Sequence, residues 1–233
     1  MTDALQGKVA VVTGATGNVG WGAARALLDA GADVITPVRS ESARARLELS
    51  GPRHHVVVAD VSTAPGNAAL ASFVKERFAR PDHVVASIGP WWQKGPVIEQ
   101  SLEELRDVMT TFVESHFLLA RTLLPLQRDA RGTSYTIVTG AAGEGTIRGA
   151  GLLVTAAEAQ FGLSRMLRAE HAGDAVRVNE LRIHVRIERH ARRGVVPSRI
   201  AGDAFVALAI GDARSELVRY RGPDAALRPE VES

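Results

Sequence analysis

The chain has 233 residues, of which 45% are hydrophobic, so its length and composition suit one α/β domain with a sizeable core better than two domains. Its formal net charge of only +2 at pH 7 and its aromatic content of 5% argue against a nucleic-acid partner, which requires clustered cations and stacking aromatics. The chain has no cysteine, no apolar run near the ~20 residues that cross a bilayer and no signal-peptide core at its first residues, so we expect a cytoplasmic protein without disulfides, a metal site or a membrane partner.

A glycine-rich turn near the amino terminus carries the strongest functional signal in the sequence. Residues 8–22 read KVAVVTGATGNVGWG, in which an apolar run is followed by glycines and then by a periodic apolar segment. This order predicts a buried strand, a tight turn and a helix start, where a dinucleotide diphosphate meets backbone N–H groups and the positive end of the helix dipole. The residues predicted to contact the nucleotide here are Gly14, Thr16, Gly17, Asn18, Val19 and Gly20.

The second strand, predicted at 32–38, ends at a residue that distinguishes the two nicotinamide cofactors. Arg39 follows it directly. An arginine at this position accommodates the 2′-phosphate of NADP, whereas an acidic residue holds the free ribose hydroxyl of NAD. Arg39 therefore favours NADP(H) over NAD(H), the alternative being a solvated arginine at a strand end.

The third strand, predicted at 54–59 after a helix at 41–49, is followed by Asp60 and Val61. These two residues lie where the adenine would bind. The Asp60 carboxylate either accepts a hydrogen bond from the adenine amino group or caps the next turn.

The fourth strand, predicted at 82–88 after a helix at 67–78, ends in small residues that allow a ligand to approach the backbone. The nucleotide contacts predicted at this end are Ser87, Ile88 and Gly89. Trp91 and Trp92 follow, at the edge where open α/β sheets bind their ligands. They either line a substrate pocket or form a hydrophobic plug or subunit contact.

A long helix begins at the capping box of Ser101 and Glu104. His116 lies on its apolar stripe, where a histidine is more often structural than catalytic.

A fifth strand at 135–139 ends in Thr139. The last predicted elements are a helix at 152–170, a strand at 176–181, a helix at 200–210 and a strand at 216–220.

The segment 181–194, LRIHVRIERHARRG, combines two patterns. Its first half alternates apolar and polar residues, which predicts an extended segment with one buried face. Its second half is strongly basic. This half could cover the site and attract an anionic substrate or the cofactor phosphates, although a solvated surface or a subunit contact is the more common role of such a run.

Strands and helices alternate regularly along the chain. Connections of this length require parallel strands with right-handed crossovers. We therefore predict an α/β fold of the Rossmann type, with a doubly wound parallel β-sheet and helices on both faces. One domain is expected at 1–222, with a loose carboxyl-terminal tail at 223–233.

Taken together, these motifs resemble those of the short-chain dehydrogenase/reductase family over essentially the whole length. The motifs that carry the resemblance are TGATGNVG at 13–20, Asp60-Val61, FLLAR at 117–121 and RVN at 177–179. In the first motif the middle glycine of the usual pattern would fall one residue later, at Asn18. The resemblance implies a nicotinamide cofactor and homo-oligomers, here a homodimer or homotetramer.

The resemblance also implies a serine, a tyrosine and a lysine that handle the proton as hydride moves. In this chain the serine position is Ala141, the tyrosine position is Val154 and the lysine position is Glu158. Phe112 stands where a supporting asparagine is usual. The ordinary ketone–alcohol mechanism should therefore be absent. Candidate substitutes for the proton donor are Glu158, Thr155, His116, Thr139 and water.

Three functions follow from these observations. The first is an NADPH-preferring oxidoreductase with a nonstandard active site acting on an unidentified small molecule, such as an activated alkene or an iminium. The second is a nucleotide-binding or sensor protein without catalysis. The third is a nonredox isomerase, cyclase or lyase that uses the tryptophan-lined pocket and Glu158.

Overall fold

The computed structural model describes residues 3–225, 227 and 229–230, and in these it contains ten strands and seven α-helices. The strands are β1 (Val9–Val12), β2 (Asp33–Val38), β3 (His54–Val58), β4 (His83–Ala86), β5 (Ser134–Gly140), β6 (Arg177–Ile183), β7 (Ile187–Glu188), β8 (Val196–Pro197), β9 (Leu217–Tyr220) and β10 (Pro229–Glu230). The helices are α1 (Asn18–Asp29), α2 (Glu41–Arg44), α3 (Ala64–Phe78), α4 (Leu102–Met109), α5 (Ser115–Gln127), α6 (Gly151–Glu170) and α7 (Ser198–Ile210).

Eight of the strands form one sheet in the order β10-β9-β6-β5-β4-β1-β2-β3. All neighbours are parallel except β10, which runs antiparallel to β9. The strand order reverses at β1, whose Val11 pairs with Ile35 of β2 on one side and with Val84 of β4 on the other. A crevice at such a reversal is where doubly wound sheets bind ligands. The predicted fold class is confirmed.

Helices cover both faces of the sheet because each face carries its own apolar cluster. On one face α1 and α7 pack together, with Leu27, Phe205 and Leu181 in the buried cluster. On the other face α3 and α5 pack against strands through residues such as Leu70 and Leu119. In the described part of the chain, no helix is long and apolar enough to cross a membrane.

The structure corrects three expectations about local elements. The helix predicted at 41–49 ends at Arg44, because the chain then turns back and packs Leu47 and Leu49 against the core. The fourth strand ends at Ala86 rather than at Ile88. The tail was expected to be loose, but β10 pairs with β9; residues 226, 228 and 231–233 of that tail lie outside the described residues.

The long helix predicted after Ser101 consists of α4 and α5 joined by a wider π-helical turn at Thr110–Glu114. Ser101 and Glu104 form the expected capping box at its start. The hydroxyl of Ser115, the first residue of α5, donates to the carbonyl of Thr110, the first residue of the π turn, at 2.8 Å. The turn contains Phe112, whose ring lies beside Gly89, three residues after the end of β4.

The segment after β6, residues 184–196, is called the strap below. It begins at His184, whose amide donates to the Tyr220 carbonyl, and contains β7, which pairs with β8 at its end. Ile187 is buried in the core cluster, and Val185 packs against that cluster. The first half of the 181–194 segment is therefore extended as expected, but its polar face is covered as well at Arg182, which is buried.

Candidate nucleotide and active site

The glycine-rich turn between β1 and α1 is held tightly against the end of β4. Gly14 has a φ of +66°, and a Cβ there would overlap the Ser87 carbonyl. A Cβ at Gly20 would overlap the Gly14 carbonyl. The Thr13 hydroxyl accepts from the Ser87 amide at 2.9 Å and lies 3.3 Å from the Val85 carbonyl oxygen. Only glycine fits the two positions, and the turn is thereby fixed at the carboxyl edge of the sheet.

The amino terminus of α1 opens toward solvent from this turn. Gly17 is the N-cap and provides no side-chain cap, and Thr16, Gly17 and Asn18 are exposed. The first amides of a helix have no intrahelical acceptor, so those of Asn18, Val19 and Gly20 can donate to an anion. This arrangement fits a dinucleotide diphosphate. The structure thus brings the predicted contacts of the turn together with Ser87.

The two predicted adenosine contacts lie on neighbouring strand ends, since β2 and β3 pair up to Val38 and Val58. Arg39 is exposed, and its side chain has no hydrogen bond or ion pair within the described residues. Asp60 instead caps a local turn: its Oδ1 accepts from the Ser62 amide at 3.0 Å and from the Ser62 hydroxyl at 2.7 Å. The turn-capping alternative for Asp60 is therefore the arrangement observed. The neighbouring Val61 packs against the core.

The end of β4 is fixed on its other side by the long helix. Gly89 has a φ of +133°, and the Phe112 ring fills the space where a Cβ would lie. His116 Nε2 is 3.2 Å from the Ile88 carbonyl oxygen. Residues 87–89 thus lie between the glycine-rich turn and the π turn, which places their backbone at the crevice.

The positions of the family's proton-handling residues lie beside an apolar cluster. Phe112 of the π turn is buried there with Leu153 and Ala156 of α6, and Trp92 and Ala142 pack against them. Ala141 and Val154, which we predict to stand at the usual serine and tyrosine positions, are half-buried. Neither an alanine nor a valine side chain can exchange a proton.

The structure does not bring the four candidate proton donors together. Thr139 is buried and donates to Glu180 Oε1 at 2.6 Å. Thr155 is exposed and donates to the Gly151 carbonyl of its own helix at 2.9 Å. Glu158 is exposed one helical turn after Val154.

His116 is the fourth candidate, and its surroundings are those of a core residue. The side chain is buried, and Nε2 lies 2.9 Å from the Gln160 amide nitrogen as well as near Ile88. Burial lowers the pKa of His116 to about 4, so the imidazole is neutral at pH 7. These contacts favour a structural role that links α5 to α6.

The two tryptophans after β4 have different environments. Trp91 is 63% exposed and donates through Nε1 to Gln93 Oε1 at 3.2 Å. Trp92 packs on the apolar cluster, donates to Gln100 Oε1 at 3.3 Å and lies under Lys94, whose Nζ is 3.9 Å from the ring centroid. Of the two, Trp92 is therefore the one that packs on the cluster containing Phe112.

A buried ionic network beneath α6 was not predicted. Glu180 has no exposed surface and accepts from Ser164 at 2.8 Å and from Arg182 Nη2 at 2.6 Å. Arg182 lies over the Phe161 ring at 3.6 Å and pairs with Glu144 at 2.6 Å. The alternation in β6 already places Glu180 and Arg182 on one face, which was the available signal.

The strap contacts the glycine-rich turn through Arg189, another contact that the sequence did not reveal. Arg189 Nη2 donates to the Thr16 carbonyl at 3.3 Å.

No group of three or more His, Asp or Glu side chains that could hold a metal ion occurs among the described residues.

A glycine-rich turn at the reversal point of a parallel sheet, with helices on both faces, defines a Rossmann-type α/β protein. The chain belongs to the short-chain dehydrogenase/reductase family. Residues 14–185 match the family model described as Enoyl-(Acyl carrier protein) reductase.

Curated relatives agree with this assignment. The chain is 30% identical to L-fucose dehydrogenase of Oryctolagus cuniculus over 173 residues, which cover 74% of this chain and 61% of that protein. It is 32% identical to a rhamnolipid-biosynthesis 3-oxoacyl-(acyl-carrier-protein) reductase of Pseudomonas aeruginosa over 202 residues, covering 80% and 77% respectively. For L-fucose dehydrogenase and two further relatives, the part matched by this chain is less than two thirds of the relative's own length.

Solved structures show the same fold. A short chain dehydrogenase of Shigella flexneri complexed with NADP superposes with a TM-score of 0.83 at 21% identity, covering 94% of this chain and 99% of that one. The L-sorbose reductase of Gluconobacter frateurii, complexed with NADPH and L-sorbose, gives a TM-score of 0.80 at 19% identity and covers 94% and 97%.

Proposed function

We propose that this protein binds NADP(H) at the turn between β1 and α1 and is an oxidoreductase with a nonstandard active site acting on a small molecule. The observation that carries the proposal is the open amino terminus of α1 at Gly17, without a side-chain cap, beside a turn that only glycine can form. The dehydrogenase and reductase relatives and the NADP-containing structural neighbours support it.

The preference for NADPH rests on the residue at the end of β2. Arg39 is exposed next to the turn and has no partner within the described residues. Its guanidinium is therefore available for a 2′-phosphate.

The reaction must differ from ordinary carbonyl reduction. The nicotinamide, when bound, supplies a hydride, but Val154 and Ala141 can neither donate a proton nor orient a substrate oxygen. Phe112, Leu153 and Trp92 provide an apolar surface that excludes water. Such a surface suits an iminium, which becomes a neutral amine on accepting the hydride and needs no proton. It also suits an activated alkene, whose enolate takes its proton from Glu158, or from solvent when the site opens.

A second candidate function is nucleotide binding without turnover. The observation that favours it is the apolar cluster around Phe112, because a site for catalysis ordinarily places titratable groups beside the reacting atoms.

The first experiment is a binding titration of NADPH and NADH, followed by NADPH oxidation with ketones, enones and iminium compounds. We expect NADPH binding, and oxidation with an enone or iminium but not with ketones. Binding without oxidation of NADPH by any acceptor would select the second function. Absence of binding to either nucleotide would reject both.

A matched pair of variants tests the location of binding. Gly17→Glu adds a carboxylate at the exposed amino terminus of α1 and should abolish NADPH binding through charge repulsion. Gly173→Glu adds the same charge in an exposed loop, where an added Cβ has no neighbouring atom within 4 Å, and should leave binding unchanged.

A further inference from the structure

Arg189 ties the strap to the nucleotide-binding half of the molecule. Its Nη2 donates to the Thr16 carbonyl at 3.3 Å, and its Nη1 lies 3.0 Å from the Glu48 carboxylate. The guanidinium carbon is 4.6 Å from the centroid of the Trp21 ring, and Trp21 itself donates to the Glu48 carbonyl at 3.0 Å. Only 17% of the Arg189 side chain is exposed. Its contacts with Thr16 and Trp21 hold the guanidinium beside the glycine-rich turn.

The same side chain borders a cavity at the start of α1. The cavity has a volume of about 340 Å³ and is lined by Asn18 and by residues 188–192 of the strap. On the strap side the cavity is lined by the basic residues Arg189, His190 and Arg192 and by Glu188, which pairs with Arg192. On the other side it is lined by Asn18, the first residue of α1. Arg189 Nε is buried and has no hydrogen-bond partner within the described residues. Cationic donors that face a helix amino terminus favour a phosphate group.

The present partner of Arg189 can be exchanged for such a group. The Glu48 side chain is 76% exposed, and exposed ion pairs contribute little stability. The diphosphate as a whole, with one charge on each phosphate, and the 2′-phosphate monoester each carry about two negative charges, against one for a carboxylate, and each accepts several charge-assisted hydrogen bonds. Because Trp21 already holds the guanidinium over the turn, the Arg189 side chain would lose little further conformational entropy on binding.

We propose that Arg189 is a phosphate-binding residue of the dinucleotide site and that the strap forms the roof of that site. This inference rests on the proposed NADP(H) binding and assigns a ligand to the basic half of the strap. The ligand group is a cofactor phosphate, either in the diphosphate or at the ribose 2′ position.

The test compares the affinities of wild type, Arg189→Ala and Arg189→Lys for NADPH and NADH, measured by calorimetric titration. We expect Arg189→Ala to weaken NADPH binding about ten-fold or more. Arg189→Lys keeps the charge but loses the planar fork and the stack on Trp21, so its affinity should be intermediate. A loss for both nucleotides places Arg189 at the diphosphate, and a loss for NADPH alone places it at the 2′-phosphate.

Arg186→Ala is the matched control, because Arg186 lies on the same strap but is 70% exposed and pairs with Glu188. Its NADPH affinity should stay within about two-fold of wild type. An unchanged affinity in both Arg189 variants would overturn the inference. A higher affinity in Arg189→Ala would also overturn it, since the strap would then compete with the nucleotide. If wild type binds neither nucleotide, it is the proposed function that fails.

Discussion

At the scale of single residues, Arg39 determines the expected choice between NADPH and NADH. It stands exposed at the end of β2 without a protein partner in the described part of the chain. We expect Arg39→Ala to weaken NADPH binding about ten-fold and to change NADH binding by less than about two-fold, because only NADPH offers a 2′-phosphate to the guanidinium. Calorimetric titration of both nucleotides measures the difference.

The control for Arg39 is Arg44→Ala. Arg44 is also exposed nearby, but it pairs with Glu41 of its own helix at 3.6 Å, so its removal should leave both affinities unchanged. An equal loss of NADPH and NADH affinity in Arg39→Ala would contradict the assignment, because it would indicate general attraction of an anion.

Two buried histidines make the stability of the protein depend on pH. Burial is the main cause that lowers the pKa of His83 and of His116 to about 4, whereas the same side chains in the unfolded chain titrate near 6.5. Between these values the unfolded chain binds more protons, so the free energy of unfolding falls as the pH decreases. From pH 7 to pH 5 we expect a loss of roughly 2 kcal/mol for each histidine, measured by urea unfolding.

Substitution separates the two contributions. His116→Gln and His83→Gln should each reduce the difference in unfolding free energy between pH 7 and pH 5, whatever their effect at pH 7. The two reductions should add in the double variant, because His83 starts β4 and His116 contacts the residues beyond its end. A pH dependence that both variants retain in full would assign the effect to other groups.

At the scale of elements, β6 contains a buried ion pair that is joined to α6 by the Ser164 hydroxyl, which donates to Glu180 at 2.8 Å. Arg182 donates to the fully buried Glu180 at 2.6 Å. Arg182→Met removes this donor and should cost about 3 kcal/mol of unfolding free energy, since it leaves a buried carboxylate with fewer partners. The double variant with Glu180→Gln should cost less than the sum of the single variants in urea unfolding.

Lys94→Met provides the surface comparison for this network. Lys94 pairs with Glu104 at 3.1 Å while half exposed, so its loss should cost less than about 1 kcal/mol. Additive losses in the Glu180 and Arg182 variants would show that these two side chains do not act as a pair.

The elements also show which sequence signals were sufficient. Apolar runs and the capping box of Ser101 predicted β1 and the start of α4, because those patterns are local. The end of α2 at Arg44 depends on Leu47 and Leu49 reaching the core, a tertiary contact that periodicity does not contain. The same limit applies to the strap, because its basic sequence does not predict the hydrogen bond from Arg189 to the Thr16 carbonyl.

At the scale of the whole molecule, the alternation of strands and helices was enough to predict the parallel sheet with helices on both faces. The turn at Gly14 and Gly20 was predictable because its backbone geometry excludes other residues. The active site was not predictable to the same degree. His116 and Thr139 were candidate proton donors by residue type, and their contacts with Gln160 and Glu180 could be seen only in three dimensions.

The molecule leaves apolar side chains exposed on two neighbouring helices, which bears on its oligomeric state. Phe117 of α5 is 48% exposed and Met166 of α6 is 51% exposed. Such residues mark a protein–protein surface when they occur together. We expect a homodimer or homotetramer that buries them, and the double variant Phe117→Glu with Met166→Glu should be monomeric in sedimentation equilibrium. Leu102→Glu, a control at an exposed apolar residue of α4, should keep the wild-type mass, and a monomeric wild type would contradict the prediction.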